Sequence, residues 1–373
     1  MTPKNAQNIQ AAEILLPCKN FNKTVVFFTN TLGFKLNSVA PAENPSVAVI
    51  NGYGIKIRLD RENKGDPGSI NLLCSNPNVV ASGKLRLTAP NGTHINIIKD
   101  DPPVDIIKVK QTFVINKISE NDQWASGRAG MLYRDLIPGN QGGYIIASHI
   151  RIVEGGPVSD FVHYHKILFQ MIYCYKGWVR VVYEDQGKPF VINAGDCVLQ
   201  PPQIRHRVLE SSPGAEVIEL TCPAHHETRL DHEIKLPTPP INAERLFHGQ
   251  RFVRHKASKA VWKPWGWDGF EARDIGVFSA TNGLVRAHVV RPVNQFYTDF
   301  ITRGAGLLFT FVLSGSAELK HREINQLVVT GGDSFVVPSA SKYCLSKCSE
   351  DMELLEVVVP TIFNTDQSSI INE

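Results

Sequence analysis

Period-two alternation of apolar and polar positions recurs along the chain, between clusters of Gly, Pro and Asn, and it predicts a protein built mostly of strands. One early stretch departs from it. Val25, Phe28 and Leu32 make a helical stripe over 21–32, with Asn22 as N-cap and Gly33 as the stop. Strands are predicted around it at 12–16, 35–39, 46–50 and 55–59, the last two joined by the turn Asn51-Gly52-Tyr53-Gly54. A shorter set follows at 70–74, 85–88 and 95–98. Asp100 to Asp105, with Pro102-Pro103, reads as a linker.

After the linker the sequence repeats itself. Gly127 and Gly130 return as Gly266 and Gly269, Arg134-Asp135 as Arg273-Asp274, and His149 as His288, all at an offset of 139. Gly177 returns as Gly315 at 138; Gly195-Asp196 returns as Gly332-Asp333 at 137, as do Pro201 as Pro338 and Glu216, Glu219, Pro223 as Glu353, Glu356, Pro360. Drifting offsets fit loop deletions between strands. Two copies of one strand-rich unit therefore fill 111–360, and alternation persists in the second at 307–312, 327–329 and 335–337.

Composition narrows the classes. At 373 residues with a formal charge of +3 and no basic run, nothing asks for nucleic acid or an anionic membrane. Seven cysteines without a Cys-x-x-Cys pair suit reduced thiols in a cytoplasmic protein. No secretory pattern opens the sequence, and no apolar run approaches the roughly 20 residues of a membrane span.

The chemistry concentrates between His163 and His206. His163 and His165, one residue apart, share a face if that stretch is a strand, as Phe161, Val162, Ile167, Phe169, Ile172 and Tyr173 favour. Gln170 follows after four residues and Gly177 after six more; then come Gly195, Pro201-Pro202-Gln203 and His206. Order and spacing resemble the two motifs of the cupin superfamily: His-x-His, Glu, Gly, then Gly, Pro-x-Gly, His. Gln170 stands for the Glu, Gln203 for the Gly, and Gly156 lies one residue further from the histidines than the family's glycine. The resemblance implies a jelly-roll barrel with His163, His165, Gln170 and His206 as metal ligands. With the duplication it implies a germin-like bicupin, with barrel 1 over 111–235 and barrel 2 over 245–362.

In the second copy Ile301, Arg303, Leu308 and Tyr343 replace the ligands, so barrel 2 should be scaffold without a metal site. The repeated Arg134 and Arg273 read as structural ion pairs, since the copy without ligands keeps them. Trp262, Trp265 and Trp267 suit a core or barrel–barrel contact better than a ring-shaped ligand. The run His225-His226-Glu227 to Asp231-His232 reads as a hydrogen-bonded connection rather than a second metal site.

The first hundred residues resemble a vicinal-oxygen-chelate, or glyoxalase-like, module through "VVFFTNTLGFKL" and "LTAPNGTHINII". That family's first metal-binding position falls on Glu13, but Asn96 sits where its last-strand Glu would be, and a second helix is missing, so residues 1–105 read as a structural or partner-binding domain. The expected fold class is mainly β, two jelly-roll barrels preceded by a small α+β domain.

Three imidazoles and an amide are neutral donors, and a divalent ion among them keeps its charge and attracts a chelating anion. The reading is an Fe(II) dioxygenase cleaving a carbon–carbon bond of a small enol, diketone or catechol-like substrate, with Mn, Ni or Zn as other metals. Gln170 would bind the ion or orient water beside it. Arg151, two residues from His149 on the same face, would meet a substrate carboxylate if that face lines the barrel, and Cys174 would touch the pocket or sit as an inert thiol. A metal-dependent isomerase, decarboxylase or hydrolase, and a non-catalytic small-molecule binder, remain alternatives, and a homodimer stays open.

Overall fold

Antiparallel strands carry most of the regular structure in the computed structural model, which describes residues 9–104, 109–120, 123–266, 269–293, 301–302 and 306–360. Arg303, Trp267, the side chain of Ile301 and the tail beyond 360 lie outside the described residues. The chain divides into two units, residues 1–103 and 104–373.

In the first unit the predicted helix runs as Phe21–Val26 and widens into a π-turn at Phe27–Thr31. Its N-cap is Asn20 rather than Asn22, because the Asn20 carbonyl already accepts from Thr24 at 2.9 Å. Four strands form one sheet in the order Ile14–Pro17, Ile55–Asp60, Val47–Gly52, Lys35–Ala40, the first two parallel. Ser69–Cys74, His94–Lys99 and Arg86–Thr88 make a second, smaller sheet. Two short turns, Pro77–Val79 and Ala81–Gly83, stand where a second helix was missed. Phe28, Ile50, Ile57 and Leu59 share one core with Ile95 and Ile97.

The second unit holds two barrels, each made of a seven-stranded sheet facing a smaller one. The barrels exchange strands. Val114–Asn116, inside the span expected for barrel 1, pairs with Ser334–Val337 of barrel 2. Val253–His255, inside the span expected for barrel 2, pairs with Cys197–Gln200 of barrel 1. Each exchanged strand covers an edge that would otherwise present unpaired backbone groups. The repeated Gly-Asp pairs serve this exchange. Asp333 Oδ1 accepts from Ile118 N, and Asp196 Oδ1 from Ala257 N, both at 2.8 Å, so each aspartate ties its own turn to the incoming segment.

The outer faces of the two seven-stranded sheets share one core, in which Met171, Tyr173, Leu199, Ile218 and Leu220 of barrel 1 join Phe309, Phe311, Val336 and Val357 of barrel 2. The repeated arginines pin this joint, though not as Arg-Asp ion pairs. Adjacent strand residues point to opposite faces, so Arg134 cannot meet Asp135, nor Arg273 Asp274. Arg134 is wholly buried and donates to the Gly332 carbonyl of the other barrel at 2.6 Å. Arg273 donates in return to Gly195 O at 3.1 Å and to the Tyr173 hydroxyl at 3.1 Å. Asp135 and Asp274 accept from backbone N–H groups of the turns that follow them.

His149 and His288 are not equivalents. Glu219 pairs across from Ser148, whereas its counterpart Glu356 pairs across from His288, so the second copy is shifted by one residue on that strand and its histidine faces the other way. Trp262 packs on the shared core beneath Arg291, and Trp265 packs on the core of barrel 2.

The described residues of barrel 2 include a large buried apolar cluster. Phe270, Val290, Leu308, Leu319, Phe335 and Tyr343 belong to one buried cluster there, and Leu308 and Tyr343 hold the positions of Gln170 and His206. All seven cysteines are free thiols. No helix among the described residues is long and apolar enough to cross a membrane.

Candidate metal centre in the first barrel

The strand His163–His165 turns both histidines inward with Tyr164 between them, and His163 lies directly across from His206 on the neighbouring strand. Period-two geometry and cross-strand register thus bring three imidazoles to one point. Ring centroids stand 5.1 Å apart for His163 and His165, 4.2 Å for His163 and His206, and 5.2 Å for His165 and His206. One nitrogen from each lies within 4.8 Å of the others.

Hydrogen bonds decide which nitrogen that is. His163 Nδ1 donates to Phe161 O at 2.8 Å and His206 Nδ1 to Ile204 O at 3.0 Å, while His165 Nδ1 lies 2.8 Å from the Thr228 hydroxyl. His163 and His206 therefore carry their protons on Nδ1 and present an Nε2 lone pair, the arrangement in which histidine binds metals. His163 Nε2 is buried with no hydrogen-bond partner. Burial holds all three rings neutral: it lowers His163 with help from Arg128, takes His165 down to about 2, and pushes His206 well below its ordinary value. Three buried, neutral, co-directed imidazoles fit a divalent cation.

Gln170 is brought to the same end of the barrel, but its amide is already engaged. Gln200 Nε2 donates to Gln170 Oε1 at 3.0 Å and stands 3.1 Å from His206 Nε2, while Gln200 Oε1 accepts from the Tyr183 hydroxyl at 2.8 Å. A cation on His206 would take the lone pair that Gln200 now meets. Gln203 explains its own departure from the motif: the position has φ of +63°, a conformation that favours glycine and that glutamine adopts here.

Beside the histidines lies an enclosed cavity of about 70 Å³. By volume that is room for about five waters or one small molecule. Its walls are apolar (Ile150, Ile172, Val181 and Val217 among them), and Arg128, Gln200 and Glu219 face it with His165 and His206. Arg128 is bonded to buried Asp160 and lies 3.2 Å from His163 Nδ1.

The other expected residues fall as follows. Arg151 shares a face with His149, but that face turns towards barrel 2. Both residues bind Glu216, Arg151 Nε at 3.0 Å and His149 Nε2 at 2.7 Å, and His149 packs edge-on to Phe311. Arg151 is thus not brought to the histidines. Cys174 does line the cavity, with burial raising its thiol to about 12, so it is inert. From the polar run 225–232, His226 comes within 5.5 Å of His165, ring to ring, while Asp231 pairs with Arg205 at 3.1 Å. In the N-terminal unit Glu13 is paired with Lys56 at 3.0 Å and Asn96 with Asn71 at 2.9 Å.

Glu219 and Arg128 escaped the sequence reading. A signal for Glu219 existed, since Glu216 and Glu219 are three apart and must lie on opposite faces of a strand, so one had to point into the barrel. Arg128 carried no such signal, because it sits in a short turn, Arg128–Gly130.

No family model matches the chain, and no curated relative matches it. Among solved structures, a salicylate 1,2-dioxygenase from Pseudaminobacter salicylatoxidans superposes with a TM-score of 0.51 at 17% identity, covering 68% of this chain and 86% of that one. Oxalate decarboxylase from Bacillus subtilis gives 0.47 at 13%, covering 71% and 79%. Protein Ylba from E. coli gives 0.46 at 13%, covering 68% and 93%. The likeness is one of fold, and the fold is the two-barrel cupin architecture.

Proposed function

We propose that barrel 1 is the active half of a metal-dependent enzyme, an Fe(II) dioxygenase that cleaves a carbon–carbon bond of a small chelating substrate of the enol, diketone or catechol type. One observation carries the reading: three buried imidazoles, each with Nδ1 hydrogen-bonded to an oxygen, bring one nitrogen apiece to within 4.8 Å of the others beside a small cavity. His163, His165 and His206 would hold the ion, and Gln170, locked to Gln200, would position the groups around it. Iron bound there would supply the open coordination positions and the electrons that dioxygen chemistry needs. The apolar walls would take the body of the substrate and exclude bulk water. The shared fold with an enzyme named for the dioxygenation of salicylate is in keeping with this reading but does not carry it. We read the N-terminal unit as a glyoxalase-like domain without a metal, and the free thiols as fitting a cytoplasmic protein.

Metal analysis of the protein from its native host, followed by oxygen uptake with iron and small diketones or catechols, tests the proposal. About one iron per chain with substrate-dependent oxygen consumption is expected. Stoichiometric metal without oxygen consumption would point to non-redox chemistry, and no metal would remove the enzymatic reading.

A further inference from the structure

Among the described residues lining the cavity, Glu219 is the one carboxyl. It stands mid-strand in Ala215–Cys222, across from Ser148 on one side and Ile172 on the other. Its equivalent in barrel 2, Glu356, lies across from His288 and Thr310. The imidazole opposite the carboxyl in the scaffold barrel is thus replaced by a serine in the barrel with the histidine centre, where the carboxyl faces a cavity instead. The groups that meet Glu219 are Arg128 from the preceding turn, the Gln170 amide from the adjacent strand, and the ring oxygens of Tyr133 and Tyr183. The Gln170 amide nitrogen lies beside the carboxyl without completing a hydrogen bond.

We propose that Glu219 is the base that removes the hydroxyl proton of the chelating substrate, a task no carboxylate at position 170 is present to perform. This rests on the metal-dependent reading of barrel 1. In the step, the substrate O–H bond breaks, its electron pair stays on oxygen, and the proton passes to a Glu219 carboxylate oxygen. The resulting anion chelates the cation, while the carboxylate becomes a neutral acid, so one negative charge moves from protein to ligand and none is created. Other cavity groups are unsuited. The histidine lone pairs face the cation site, the Tyr183 hydroxyl is committed to Gln200 at 2.8 Å, and Cys174 is held as a thiol.

Proton counting tests this without turnover. Acetohydroxamic acid is small, neutral, and chelates a divalent ion only after losing its hydroxyl proton. Its binding to the zinc-loaded full chain is followed by calorimetry at neutral pH in buffers of differing ionisation enthalpy. The wild type should release close to no protons to buffer, because Glu219 keeps the one it takes. Glu219→Gln, at unchanged zinc content, should release about one per site and bind at least tenfold more weakly, and Glu219→Asp should return the count towards zero. One proton released by the wild type overturns the proposal whatever the variants do, and so does an unchanged count in Glu219→Gln. Failure of the wild type to hold zinc at all is the separate result that removes the metal reading beneath it.

Discussion

His206 shows how a single residue is set in place as a candidate ligand. Its Nδ1 is tied to Ile204 O at 3.0 Å, and its strand partner is His163, so position and tautomer are fixed before any ion arrives. Replacing it with alanine should lower zinc or iron affinity by about 100-fold or more while leaving the far-ultraviolet circular dichroism unchanged, a loss of the size seen when metal-site groups are removed. Retained stoichiometric binding on dialysis would exclude this residue as a ligand. Gln203 gives a second test at this scale. Its φ of +63° costs a side-chain-bearing residue roughly 1 kcal/mol that glycine does not incur. Gln203→Gly should therefore raise the urea midpoint slightly, or at worst leave it level once the added chain entropy of glycine is counted, whereas a clear fall would mean that the amide side chain matters. The three histidines were legible in the sequence because motif spacing and strand periodicity agree. Arg151 was misplaced because periodicity says which residues share a face but not which face is inside.

At the scale of elements, the strand Ile146–Ile152 carries His149 and Arg151 onto Glu216 in the joint between barrels. Burial opposes the charge on Glu216, but His149, Lys176 and Arg151 outweigh it and hold the carboxyl at about 2, below its ordinary 4.5. A depressed carboxyl contributes stability that is complete above 4.5 and is lost as pH falls from 4.5 to about 2. Burial also lowers His149 below 6.5, so below that pH the unfolded chain takes up a proton the folded chain refuses, and the sign is the same. Urea unfolding across pH should show stability level above pH 7 and falling in acid. Glu216→Gln should flatten the part below pH 4.5 and cost roughly 3 kcal/mol at pH 7. Parallel curves for the two proteins would mean this network does not couple folding to protons. The succession of strands and helix along the N-terminal unit and the duplicated unit were readable from alternation and repeats, while the order of those strands in the sheets was not. The one-residue shift separating His149 from His288 was not, because a slip between strands leaves composition unchanged and moves every side chain to the other face.

For the whole molecule, strand exchange makes the second barrel a requirement of the one that carries the three-histidine cluster. A chain cut to residues 104–235 keeps all three histidines but loses Val253–His255, which covers the edge strand Cys197–Gln200, and leaves Val114–Asn116 without its partner Ser334–Val337. It would also expose Met171, Ile218 and Leu220, each worth roughly 1.5–3 kcal/mol when buried, and leave the Arg134 guanidinium without Gly332 O. Those losses together match or exceed the 5–15 kcal/mol by which a domain is ordinarily stable. Residues 104–235 alone should therefore show no cooperative urea transition and no stoichiometric metal, while residues 104–373 should show both. A monomeric 104–235 fragment that unfolds cooperatively and binds one metal ion would mean that the exchange is ornamental.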